Sequence, residues 1–301
     1  MRAELTTDAG DPVVREPPLQ REPPLPADGL RGPGPWTSRA VKYAAILRMS
    51  IGNHLAYWGE VLLRSVFLVL IIFVFVQLWT LTYGSLKTAK VGDYTLPQMI
   101  WYFAFAEAII LSVPLLRTKI DQEVKSGDLA YRLNKPYHYV LYLAADYSGE
   151  RLVRFALNLV IGSILALLFV GPIGFTAGGL LAVAALLPAA MGLDFLVSCA
   201  LGLLSFWVED TWAFDFIYRR LVMILGGMMI PLDVFPEPLS SIARALPFSF
   251  MVYGPARLWV APTPQFFVEM LVKVGIALAL AGAIVALIYR AGQRNVTVNG
   301  G

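Results

Sequence analysis

Residues 62–82 read LLRSVFLVLIIFVFVQLWTLT, and this stretch decides the architecture. As a helix it covers roughly 30 Å, the depth of a bilayer's hydrocarbon core. Five more apolar segments can span, near residues 97–116, 152–171, 179–206, 215–235 and 265–289. The fourth contains Pro188, which kinks it or delays its start. The whole chain of 301 residues is 57% hydrophobic and 15% charged, with a mean hydropathy of +0.65. Soluble domains hold roughly 45–50% apolar and about 25% charged residues, so one globular core cannot absorb this excess. The reading is an all-α polytopic membrane protein with six transmembrane helices.

The few charges give a direction. With the N-terminus inside, the inner segments hold eighteen Lys and Arg, seven of them between Arg117 and Arg154. The outer segments hold four, Lys87, Lys90, Arg244 and Arg257. By the positive-inside rule both termini are cytoplasmic. The net charge of +3 is too small to argue for nucleic acid, and membrane lipid is the expected surrounding partner. The single cysteine, Cys199, excludes an internal disulfide framework and a Cys-based zinc site.

Outside the spans, residues 1–36 hold eight of the twenty prolines and the repeat Arg-Glu-Pro-Pro-Leu at 15–19 and 21–25. That composition favours a disordered polyproline II tail, and no apolar stretch makes it a signal peptide. Residues 37–60 place Tyr43, Leu47, Ile51 and Leu55 at helical spacing, with Arg39, Lys42, Ser50 and Asn53 opposite. This reads as an amphipathic helix on the membrane surface. Residues 61–294 form the membrane domain and 295–301 a short C-terminal tail.

Two connections stand out, while the outer loop 82–96 reads as plain. On the inner side, Ile120 and Val124 lie one turn apart amid Asp121, Gln122, Glu123 and Lys125. Ser126-Gly127-Asp128 then breaks the helix before Leu129, Tyr131, Arg132 and Leu133, and Asn134-Lys135-Pro136 stops it. Such a short polar helix either receives the push of a soluble motor or is a solvated loop. Tyr137, Tyr139, Tyr142 and Tyr147 follow as an interfacial stretch. On the outer side, residues 239–250 are too apolar to sit free in water and too short to cross. A re-entrant helix bracketed by prolines is the physical solution.

Within the spans, Glu107 and Lys273 lie at similar depths and could pair, or Lys273 could pair with Glu269 one turn away. Asp194 has no obvious opposite charge, so it faces an aqueous cavity or stays protonated. Enzymatic readings find no support in the motifs. His54 and His138 lack a zinc arrangement, and no nucleophile elbow or phosphate-binding loop occurs.

The string EVKSGDLAYRLNKP at 123–136 resembles the loop between the second and third spans of ATP-binding-cassette (ABC) exporter permeases of the second type, ABC-2. More narrowly, it is similar to that of a bacterial subfamily of uncharacterised six-span subunits. Pro231 through Pro247-Phe248 to Gly254-Pro255-Ala256-Arg257-Leu258 is similar to the motif these permeases carry before their last span. Gly92-Asp93-Tyr94-Thr95-Leu96 and Trp101-Tyr102 fit the same subfamily. The resemblance implies a permease in a bacterial plasma membrane, working with a second permease subunit and a separate ABC ATPase subunit that holds the ATP and Mg. It makes residues 37–60 a connecting helix and 239–250 a lid on the outer end of the pathway. Ile120, Asp121, Glu123, Val124, Lys125, Gly127, Asp128, Leu129, Tyr131 and Arg132 become the ATPase-coupling element. Spans two and five would line the path, with Phe103, Phe105, Glu107, Asp194, Met223, Met228 and Met229 as candidates to meet a hydrophobic or amphipathic cargo. The alternative is a stand-alone secondary transporter or scaffold, against which no inverted repeat between residues 60–171 and 172–289 is evident.

Overall fold

The computed structural model describes residues 35–299, so the proline-rich stretch 1–34 lies outside the described residues. Its regular elements are helices, with one isolated antiparallel bridge between Val91 and Tyr94. In chain order they are α1 (Pro35–Ala56), α2 (Trp58–Leu86), α3 (Leu96–Leu111), α4 (Leu116–Lys125), α5 (Asp128–Leu133) and α6 (Tyr139–Val170). Then come α7 (Ala177–Leu203), α8 (Trp212–Leu225), α9 (Glu237–Ala245), α10 (Pro247–Met251), α11 (Tyr253–Val260) and α12 (Pro264–Asn299).

Among the described residues, five helical stretches are long and apolar enough to cross a membrane: Val66–Leu86, Leu96–Lys125, Tyr139–Val170, Ala177–Phe206 and Pro264–Gln293. The segment expected as a span at 215–235 is not one helix. It is α8, whose 14 residues reach only about 21 Å. Gly226 and Gly227 end it, and Gly227 takes a φ of +72° in the left-handed region that glycine tolerates. A side chain there would also press on Leu232 and Tyr253, at 3.1 and 3.2 Å. Pro188 sits inside α7 without ending it.

α3 is the buried axis, from Met99 through Ile109. Its start is fixed by Pro97 in the first turn and by Gln98 Oε1, which accepts from the Thr95 N–H at 3.0 Å. α2, α6 and α11 pack around it, and α7 pairs with α12. Gly162 lets α6 approach α3 closely, since a Cβ there would lie 3.3 Å from the Ala104 carbonyl oxygen. α12 runs through Asn299, so the expected tail at 295–301 is largely a continuation of that helix.

α1 is helical as its periodicity suggests, and it meets the start of α6 through polar groups. Leu55 is exposed, whereas Ser50 is buried and donates to the Asp146 carbonyl oxygen at 2.8 Å. Ser50 fits because Gly149 has no side chain; a Cβ on it would lie 2.6 Å from the Ser50 Cβ. Tyr43 accepts from the His138 N–H at 3.0 Å, Lys42 donates to the Pro136 carbonyl, and His54 lies 3.5 Å from Glu150.

Candidate functional site

The segment between α3 and α6 is built as an anchored side and a presented side. Pro114 breaks α3 from α4, and α4 then lies along the last turns of α7. Ile120 is fully buried and seated over Gly202 of α7, where a Cβ would meet its Cδ1 at 2.7 Å and the Arg117 Cα at 3.3 Å. Glu123 is buried, accepts from the Tyr139 hydroxyl at 2.8 Å and forms an ion pair with Arg132 of α5 at 3.0 Å. Lys119 donates to Asp146 of α6 at 2.6 Å. Asp121 is buried and paired with Lys125 at 2.8 Å, Val124 is half-buried, and Leu129 is buried in the same cluster. Facing away are Gln122, Lys125, Gly127, Asp128 and Tyr131, the last 66% exposed. Gly127 has a φ of +79° and turns the chain sharply from α4 into α5.

Gly202→Ala should therefore separate α4 from α7. The methyl group meets backbone as well as the Ile120 side chain, and overpacking of this kind costs about 1–3 kcal/mol. The expected result is a lower unfolding temperature and faster proteolysis within residues 116–133. A variant as protected as the wild type would refute the contact.

At the same end of the bundle, a buried polar cluster joins α6, α7 and α8. Asp194 Oδ2 pairs with Arg151 Nη1 at 2.5 Å and accepts from the Tyr147 hydroxyl at 2.6 Å. Its Oδ1 accepts from the Tyr218 hydroxyl at 2.5 Å, and Arg151 also donates to Tyr147 and to the Met191 carbonyl. The expectation that Asp194 lacks an opposite charge is thus corrected: its partner is Arg151, 43 residues earlier. A carboxylate holding one guanidinium and two phenols is well satisfied, which makes such a buried charge tolerable. Below it, Arg117 of α4 donates to Thr211 at 3.1 Å and lies 3.5 Å from Asp215 of α8, which also accepts from Arg219 at 2.8 Å. The first turn of α4 is in this way tied directly to the start of α8.

At the opposite end, Asp233 gathers the connection between α8 and α12. It accepts from Tyr94 at 2.5 Å and from Arg244 and Tyr253 at 2.8 Å, with Arg257 at 3.4 Å. Burial and the Asp233 carboxylate push the Tyr94 phenol above its ordinary range, so it remains a donor. The loop 87–95, expected to be plain, is instead docked. Tyr94 is buried, and Gly92, with a φ of +57°, lets the turn approach Val234. Residues 239–250 are not one helix, since Pro247 starts α10 afresh. Leu239 and Ile242 are exposed while Ser240 and Ala243 are buried, and a continuous buried run lies farther on, from Ser249 to Ala256.

The cargo candidates separate. Phe103 stacks on Phe75 at 3.9 Å and Phe105 on Trp259 at 4.7 Å, and both are buried within the chain's own core. They are packing residues here, as is buried Met228. Met223 and Asp194 line a common cavity of about 250 Å³, and Met229 is exposed. The Glu107–Lys273 pair is not formed: Lys273 donates to Glu269 at 2.6 Å. Glu107 is buried on α3 with no charged partner among the described residues. Glu107→Gln, at a carboxyl with no cation beside it among the described residues, is expected to leave the unfolding temperature unchanged or raised. A clear fall would reveal a partner.

The sequence profile of a family described as ABC-2 family transporter protein matches residues 66–300. No curated protein matches the chain. The matched region runs from the start of the first crossing helix to the end of α12 and takes in the anchored α4–α5 element, the Asp194 cluster and the Asp233 hub. This multi-pass membrane chain therefore belongs to the ABC-2 family of transporter proteins.

Proposed function

We propose that the chain is the permease subunit of an ABC exporter, paired with a second permease subunit and with separate ATPase subunits that bind ATP and Mg. It sits in a bacterial plasma membrane with both termini and the α4–α5 end in the cytoplasm. α8 and the turn after it complete a sixth crossing, and α9–α11 fold back into the outer leaflet as a lid. ATP binding closes the ATPases against α4, α5 and α1, and the Arg117–Asp215 contact carries that push into α8. The paired bundles then tilt to release a hydrophobic or amphipathic cargo outward.

The observation that carries this reading is the division of residues 116–133. A merely solvated loop has no need to bury Ile120, Glu123 and Leu129 while holding Asp128 and Tyr131 outward on a rigid support. The test is purification of the tagged chain, in mild detergent, from cells expressing it with its ATPase. An ATPase should co-elute with the full chain, and deletion of residues 127–133 should abolish the association. Retention of the ATPase by the deletion would sink the coupling assignment.

A further inference from the structure

Two cavities, of about 250 and 420 Å³, meet where α2, the α3–α4 break, α6 and α8 come together. They share Ile110, Val113 and Arg219, so they form one groove. The break at Pro114 opens it, because α3 stops at Leu111 and α4 turns away along α7. Its walls are apolar, with Phe67, Leu115 and Phe216 exposed at the mouth. Three guanidinium groups reach it, from Arg154, Arg219 and Arg220.

Charge and depth together identify an occupant. Arg154 lies sixteen residues from the far end of α6, about 24 Å along it, close to the edge of a roughly 30 Å hydrocarbon layer. Lipid head groups sit at that level. Among the described residues, the charged groups lining the groove and their partners are as follows: Arg154 pairs with Glu150, Arg219 shares Asp215 with Arg117, and Asp194 is taken by Arg151. Arg220 rests over the Phe216 ring at 5.0 Å and has no carboxylate partner among the described residues. Counting these lining residues with their pairing partners, five described guanidinium groups stand against three carboxylates, a surplus of two positive charges beside an apolar slot. Arginine is well suited to a phosphate because its planar fork donates two parallel hydrogen bonds.

We propose that this groove binds an anionic phospholipid of the cytoplasmic leaflet. Its phosphate sits among Arg154, Arg219 and Arg220, and an acyl chain lies along Ile110, Val222 and Met223. The assignment rests on the permease reading for its orientation and names anionic amphiphiles as the class the exporter admits. The Tyr218–Asp194 contact forms one wall, so an occupant touches the helix that the coupling element moves.

Native mass spectrometry of the purified protein tests it, with phosphatidylglycerol and phosphatidylcholine of identical chains as probes. Phosphatidylglycerol should be retained about tenfold better, and Arg220→Gln should cut that preference severalfold. Arg220 has no carboxylate to orphan, so this variant keeps the fold. Met223→Trp fills the slot without touching a charge and should also expel the lipid. Arg290→Gln, an exposed site on α12, should change nothing. Equal retention of the two lipids, or an equal loss from Arg290→Gln, would overturn the site. Displacement of the lipid by inorganic phosphate at equal concentration would overturn the need for a tail. The readout requires no ATPase, so loss of ATPase association would count against the exporter reading alone.

Discussion

Asp194→Ala is expected to lower the unfolding free energy by about 3–5 kcal/mol, the usual result of removing one member of a buried ion pair. Arg151 is 2% exposed, so its guanidinium would remain buried with its carboxylate gone. Tyr147 and Tyr218 would lose their acceptor at the same time. For a chain of this size the unfolding temperature should fall on the order of 10 °C. The double substitution Asp194→Leu with Arg151→Met should recover much of the loss, because an apolar pair of similar volume leaves no orphaned charge. Thermal unfolding in detergent reads both. A single variant as stable as the wild type would mean that the cluster is hydrated or not formed. The double variant also separates stability from coupling. It removes the polar tie between α7 and α8, so a stable but uncoupled protein would show that the tie serves motion.

The second large effect is expected from two neighbours on α5. Leu129→Ala removes a buried side chain and should cost about 2–4 kcal/mol, loosening the whole element. Tyr131→Ala should leave the unfolding temperature within a degree or two, because the ring is 66% exposed and packs little within the chain. Yet exposed aromatic rings on a rigid support are frequent anchors of protein interfaces, so ATPase affinity should fall about tenfold. Titrating the ATPase against the permease in nanodiscs, with ATP hydrolysis as a parallel readout, checks both. Unchanged affinity and hydrolysis in Tyr131→Ala would remove α5 from the docking surface. A destabilised Tyr131→Ala would show that the ring faces inward.

Much of the design was legible because it is local. A run such as residues 62–82 announces itself, and so does the stop at Ser126-Gly127-Asp128, where glycine takes the left-handed turn without steric cost. The short polar segment after the second span was located by spacing, but its division into a buried and an exposed side was not. Asp121 and Glu123 are both acidic and look solvated in sequence, yet both are buried, Glu123 through Tyr139 and Arg132. The loop at 87–95 looked plain because nothing near it shows that Tyr94 reaches Asp233, 139 residues away. The break of α8 carried a signal in Gly226-Gly227 and Pro231, which the apolar content of 215–235 concealed.

By itself the sequence determined the class, the long crossing helices and the place of the short polar element. In lipid a helix must satisfy its own backbone hydrogen bonds, so length and apolarity are decided within each segment. Only the tertiary structure decided which charges meet. Asp194 finds Arg151, Lys273 finds Glu269, and Glu107 finds no cation among the described residues. That outcome depends on how each helix is rotated about its axis and on which helix lies beside it. Periodicity can mark the face a residue occupies, but the neighbour across that face is set by packing.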